Sequence, residues 1–176
     1  MEKIVGIHKF GGKVDITDPC YDRDVWCRIN DVEIVPGEYE CYADIWDNSQ
    51  TSGWGDRVAR IGIRLVGSNE TEFEQIGTIG VDAGMAGIFE GKPDYGDDAW
   101  SDFCDSLGFS RNEMVWTKDI GFFSNSGFGD GEYPVFAAYD KSDNVVALEI
   151  CFISDYEEDE EESEEDDEED FEEDGE

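Results

Sequence analysis

The sequence predicts a mainly β domain, an antiparallel sandwich or a strongly curved sheet with one packed helix, followed by a disordered acidic C-terminal tail. Three observations lead there. Apolar and polar residues alternate with a period of two in the first half, a strand-turn-strand pattern closes the domain, and only one stretch carries clear helical spacing.

Taken in order, Lys3 to Lys9 and Lys13 to Thr17 are short strand candidates. Asp22 to Asn30 is a weaker helical or irregular stretch in which Val25, Trp26 and Ile29 share a face. In Gly37 to Asp47, Tyr39, Cys41, Ala43 and Ile45 lie on one side and Glu38, Glu40 and Asp44 on the other, as a half-buried strand requires. Arg57 to Val66 repeats the pattern with Ala59, Ile61, Ile63 and Leu65 against Arg60 and Arg64. The loop Asn48 to Asp56 joins the two strands, so antiparallel pairing sets these arginines across from Glu38, Glu40 or Asp44. The alternative role for Arg60 and Arg64 is an exposed anion-binding site.

Glu72 to Val81 is a further short strand. Trp100, Phe103, Cys104 and Leu107 then fall at i, i+3, i+4 and i+7 behind Asp97 and Asp98, and Gly108 closes the helix they predict. Tyr133 to Tyr139 and Val145 to Ile153 flank the turn Asp140-Lys141-Ser142-Asp143-Asn144. The second of these strands is apolar on both faces except at Glu149, which places it centrally in a sheet. From Asp155 to Glu176 the chain has 18 acidic and no basic residues, with Tyr156 and Phe171 as its only large apolar side chains. Such a segment buries too little apolar surface to offset chain entropy, so the domain is expected at residues 1–154 and the tail at 155–176.

The net charge is −35; setting the tail aside leaves 29 acidic and 12 basic residues, a net −17 for the body. That sign repels phosphates and anionic lipid surfaces, so neither direct nucleic-acid binding nor membrane binding is expected, and a basic protein partner fits better. The start Met1-Glu2-Lys3-Ile4-Val5-Gly6-Ile7 lacks a secretion signal's basic and apolar regions, and no apolar run reaches a membrane span's length, so a cytoplasmic protein is expected. Five cysteines without a Cys-x-x-Cys pair read as reduced thiols. The single histidine, His8, supplies no zinc pair; no metal, cofactor or catalytic residue is expected, the alternative being a Cys20 nucleophile with His8 as base. Asp94, Asp97 and Asp98 read as helix capping, with calcium as the alternative.

Three segments read as specialised loops: Thr17-Asp18-Pro19-Cys20-Tyr21, Gly80 to Gly87 with its Val81-Asp82-Ala83-Gly84 core, and Phe122 to Val135 with Ser126-Gly127-Phe128-Gly129-Asp130-Gly131-Glu132-Tyr133-Pro134. Together they resemble a poorly characterised family of bacterial and bacteriophage proteins, a domain of unknown function, over roughly Val14 to Ile153. The resemblance implies a β-rich fold and a microbial or phage origin, and carries over no catalytic residue. Asp18-Pro19 starts a turn, with the carboxylate capping local backbone. Glycines in the other two segments permit close approach of backbone or ligand, which makes Asp82, Ser124, Asn125, Ser126 and Asp130 candidate ligand contacts, with Arg60 or Arg64 offsetting the acidic field. Trp46, Trp54, Tyr95 and Trp116 lie in or beside loops as candidate partner anchors.

The expected function is a non-catalytic intracellular binding or inhibitory protein of bacterial or phage origin, of immunity or anti-host type, whose acidic surface engages a basic partner. One alternative is a small-molecule binder, for a nucleotide or metabolite, at the glycine-rich loops. Another is a hydrolase using paired carboxylates such as Asp82 and Asp130.

Overall fold

A computed structural model describes residues 2–47, 55–107 and 113–154. The expected tail, the helix-closing Gly108, Trp54 and most of the Asn48 to Asp56 loop lie outside these residues. Eleven strands and one helix follow in chain order: β1 (Glu2–Phe10), β2 (Lys13–Thr17), β3 (Ile29–Glu33), β4 (Gly37–Trp46), β5 (Arg57–Leu65), β6 (Glu74–Val81), β7 (Met85–Phe89), α1 (Trp100–Leu107), β8 (Val115–Lys118), β9 (Gly121–Asn125), β10 (Gly131–Tyr139) and β11 (Val145–Cys151). They form two antiparallel sheets, one of order β1-β4-β5-β11-β10-β6 and one of order β3-β2-β7-β9-β8.

Alternation builds the main core. Tyr39, Cys41 and Ala43 of β4, Ile61 and Ile63 of β5 and Leu148 and Ile150 of β11 meet Val14, Ile16, Ile88 and Phe122 from the other sheet. Glu40 pairs with Arg64 and Asp44 with Arg60 in the β4–β5 register, as the polar faces predict. β11 is central, between β5 and β10.

The inner strands β7 and β9 of the smaller sheet are buried on both faces, so two segments expected as loops are strands instead. Ile88 and Phe122 point into the main core, while their neighbours Phe89 and Phe123 point the other way, where Phe103 and Leu107 of α1 cover them. Phe123 stacks on Phe89 and Trp116 at centroid distances of 5.8 and 5.4 Å. Gly87, paired with Phe123 in register, leaves the room for this stack: a Cβ there would stand 2.4 Å from the Phe123 Cβ. Cys104 of the expected helical stripe is exposed. Trp116, expected at a loop, is a buried strand residue.

Asp22 to Asn30 forms turns, and Ile29 already belongs to β3. The expected shared apolar face is absent, because Trp26 is 84% exposed. Side chains that compete with helical hydrogen bonding fix these turns instead: Asn30 Nδ2 donates to the Arg23 carbonyl at 2.8 Å, and Arg28 Nε donates to Asn30 Oδ1 at 2.6 Å.

Candidate functional site

The buried carboxylate of Asp18 organises one end of the sandwich. Oδ1 accepts from the Cys20 amide at 2.7 Å, the local capping expected of an Asp-Pro turn. Oδ2 accepts from the amides of Asp82 and Ala83, both at 2.8 Å, so the same side chain fastens the β2–β3 connection to the turn between β6 and β7. Tyr21 adds a second tie, its hydroxyl donating to Asp82 Oδ2 at 2.6 Å. Partial burial, together with that bond to a carboxylate, pushes the Tyr21 phenol well above its ordinary pKa, so it stays a donor. The third motif joins them: the Ser126 amide donates to the Gly84 carbonyl at 3.0 Å, and Gly131 and Glu132 of β10 pair with Val81 and Gly80 of β6.

The same connection is held from behind by a buried ion pair. Arg28 NH2 lies 3.1 Å from Asp15 Oδ2, its NH1 donates to the Tyr21 carbonyl at 2.6 Å, and Asp15 Oδ1 accepts from the Asp31 amide at 2.8 Å. Arg23 bonds Asp31, while Asp94 Oδ1 accepts from the Arg23 amide and Asp22 Oδ1 from the Tyr95 amide. Asp97 Oδ2 accepts from the Asp94 amide at 2.8 Å, so these aspartates order their own loop. Among the described residues no group of three or more His, Cys, Asp and Glu is placed to hold a metal ion.

Between the tied segments lies a cleft of about 550 Å³. Tyr21, Val25, Trp26 and Cys27 form one wall; Gly80, Val81 and Asp82 of the β6 end and Asp130, Gly131 and Glu132 of the β10 start form the other. Gly80 is what lets the walls approach. Its amide donates to the Cys27 carbonyl at 2.8 Å, and a Cβ there would sit 2.8 Å from the Cys27 sulfur. Asp82, Asp130 and Glu132 are exposed, no basic side chain lines the cleft, and the carboxylates of Asp130 and Glu132 have no hydrogen-bond or ion-pair partner among the described residues.

The seven expected contact residues thus separate. Asp82 and Asp130 meet in the cleft. Ser124 and Ser126 are buried, their hydroxyls donating to the carbonyls of Asn125 at 2.9 Å and Gly129 at 2.7 Å, and Asn125 is half-buried in β9 opposite Met85. Arg60 and Arg64 lie on the outward face of the larger sheet. Arg60 Nε is 3.3 Å from Glu149 Oε1; Arg64 NH2 is 2.9 Å from Glu2 Oε1, and its Nε is 3.6 Å from Glu40 Oε2. Glu149 also accepts from the Tyr42 hydroxyl at 2.6 Å. Sequence reasoning missed Trp26, Cys27 and Glu132; a tryptophan set among Asp24, Arg23 and Arg28 was the available signal.

Of the expected aromatic anchors, Tyr95 is 74% exposed, and Trp46 meets Phe128 edge to face. Cys20 shows no sign of activation, since partial burial and the Asp18 carboxylate raise its thiol pKa. His8 sits in β1 of the other sheet, tilted against Phe10 at 4.4 Å. No family model, curated protein or solved structure matches this chain. No helix among the described residues is long and apolar enough to cross a membrane.

Proposed function

We propose that this chain is a non-catalytic binding or inhibitory protein, of bacterial or phage origin and of immunity or anti-host type, whose acidic surface engages a basic protein partner. One observation carries the reading. Arg23, Arg28, Arg60 and Arg64 are ion-paired to the chain's own carboxylates and Lys92 is buried, and the exposed Lys3, Lys9, Lys13 and Lys141 do not line the cleft, while Asp130 and Glu132 face solvent beside an exposed tryptophan with no partner among the described residues. An uncompensated field of this kind attracts basic surfaces and raises association rates in a salt-dependent way. The test is affinity capture with the full chain as bait, followed by native mass spectrometry. Basic proteins retained at low salt and released as salt rises support the reading; capture that is indifferent to salt, or that retains no basic protein, contradicts it.

A second reading, a small-ligand binder, has its own observation. Arg60 and Glu149 line a cavity of about 330 Å³ walled by Phe73, Pro134 and Phe136, which offers a ligand apolar contacts and one ion pair for its polar groups. A small molecule that stays bound through native mass spectrometry, and is lost on Arg60→Ala, favours this reading over the first.

A further inference from the structure

We infer that the cleft is a pocket for a single cationic side chain, a lysine or arginine projecting from the basic partner, with Trp26 as its aromatic wall; this rests on the binding reading above. Trp26 is the most exposed large apolar side chain among the described residues, at 84%, although Arg28 and Asn30 tie the turns that carry it. An aromatic ring held in water on a fixed backbone lowers the entropy lost on binding and is the kind of residue that anchors interfaces. The opposite wall supplies Asp130 and Glu132, with Asp82 held in place by Tyr21.

An aromatic face opposed by carboxylates is the chemistry that recognises an organic cation. The ring attracts the positive charge through its quadrupole and packs on the aliphatic stem, and the carboxylates accept from the head group. An anionic ligand is repelled by the three acids, and a purely apolar one leaves Asp130 and Glu132 desolvated and unpaired. Gly80 sets the depth, since any side chain there would run into Cys27. The three motif segments meet to make this one feature, whereas the Ser124 and Ser126 hydroxyls near them are spent on internal bonds.

The test is a nuclear magnetic resonance titration of the isotope-labelled full chain with acetyl-Gly-Ser-Arg-Ser-Gly-amide, its lysine counterpart and its neutral citrulline counterpart. The expected result is saturable shifts of the Trp26 indole N–H and of the Cys27, Asp82 and Gly131 amides with the two cationic peptides and not with citrulline. Trp26→Ala, and separately Asp130→Asn with Glu132→Gln, are expected to weaken arginine-peptide binding about fivefold or more with amide dispersion retained. The inference is overturned if the citrulline peptide binds equally, if the variants bind unchanged, or if the cationic peptides shift only acidic residues elsewhere. If the unmodified chain still captures basic proteins in a salt-dependent way while these peptide results fail, the pocket falls and the binding reading stands. If that capture fails as well, both fall.

Discussion

Replacing Asp18 with alanine tests the tie on which the cleft depends. The carboxylate is fully buried and accepts three backbone amides at 2.7 to 2.8 Å, two of them from the turn between β6 and β7. Hydrogen bonds to a charged group contribute about 1.5–3 kcal/mol each, and amides left without an acceptor cost about 1–3 kcal/mol each. Three such terms do not add fully, because water enters the space left behind. The expected loss is therefore about 3–5 kcal/mol, a large part of the roughly 5–15 kcal/mol that stabilises a domain of this kind. Asp18→Asn keeps one carbonyl acceptor and is expected to lose about half as much. Urea denaturation gives the free energies, and hydrogen exchange at the Cys20, Asp82 and Ala83 amides shows whether the loss is local to the tie. A loss below about 1 kcal/mol for the alanine variant, with those three amides still protected, refutes the reasoning.

Three further outcomes follow from the packing. Burial raises the pKa of Glu149 above 4.5, so the folded state keeps a proton that the unfolded state has lost, and this group's contribution is full below 4.5 and declines as pH rises through the raised value. Denaturation midpoints of Glu149→Gln should therefore improve relative to the parent as pH climbs through that window; parallel curves would contradict this. Lys92 is buried against Trp100 and Phe103 and its pKa is lowered from 10.5, so the unfolded chain binds the extra proton and the parent gains stability as pH rises from the lowered value toward 10.5. Lys92→Met should lack that gain, which thermal melts across alkaline pH would reveal. Gly87→Ala places a methyl 2.4 Å from the Phe123 Cβ and 2.6 Å from the Phe122 carbonyl oxygen, and overpacking there should cost about 1–3 kcal/mol or more by chemical denaturation. An unchanged midpoint would mean that β7 and β9 are spaced more loosely than described.

How much of this was legible depended on whether a strand had one buried face or two. β4 and β5 declare themselves because Glu40 and Arg64 alternate with Cys41 and Ile63, and even their cross-strand pairing could be read. β7 and β9 did not. Ile88 and Phe89, like Phe122 and Phe123, are neighbours buried on opposite faces, so the alternation disappears and the adjoining glycines look like a loop. β3 and β8 are short strands, of 5 and 4 residues, that leave little pattern to find. α1 was legible because Phe103 and Leu107 sit one turn apart on the face it buries.

The site divides in the same way. Glycine-rich composition pointed to the neighbourhood of Asp82 and Asp130, and Asp18 was recognised as a cap on nearby backbone. Its bonds to amides 64 and 65 residues away depend on how the two sheets stack, which no local pattern encodes. Trp26 escaped for a related reason. Its exposure follows from Arg28 and Asn30 fixing the turns on either side, and its place opposite Glu132 follows from the pairing of β6 with β10, strands far apart in the chain.

On the proposed binding reading, the end of the sandwich bearing the cleft, and not only the acidic stretch from Asp155 to Glu176, meets a basic partner. Carbodiimide labelling of carboxylates in the full chain, with and without poly-L-arginine and read by peptide mass spectrometry, separates the two. Labelling of Asp82, Asp130 and Glu132 is expected to slow in the bound state. Unchanged labelling at all three, with protection confined to residues 155–176, would contradict that reading.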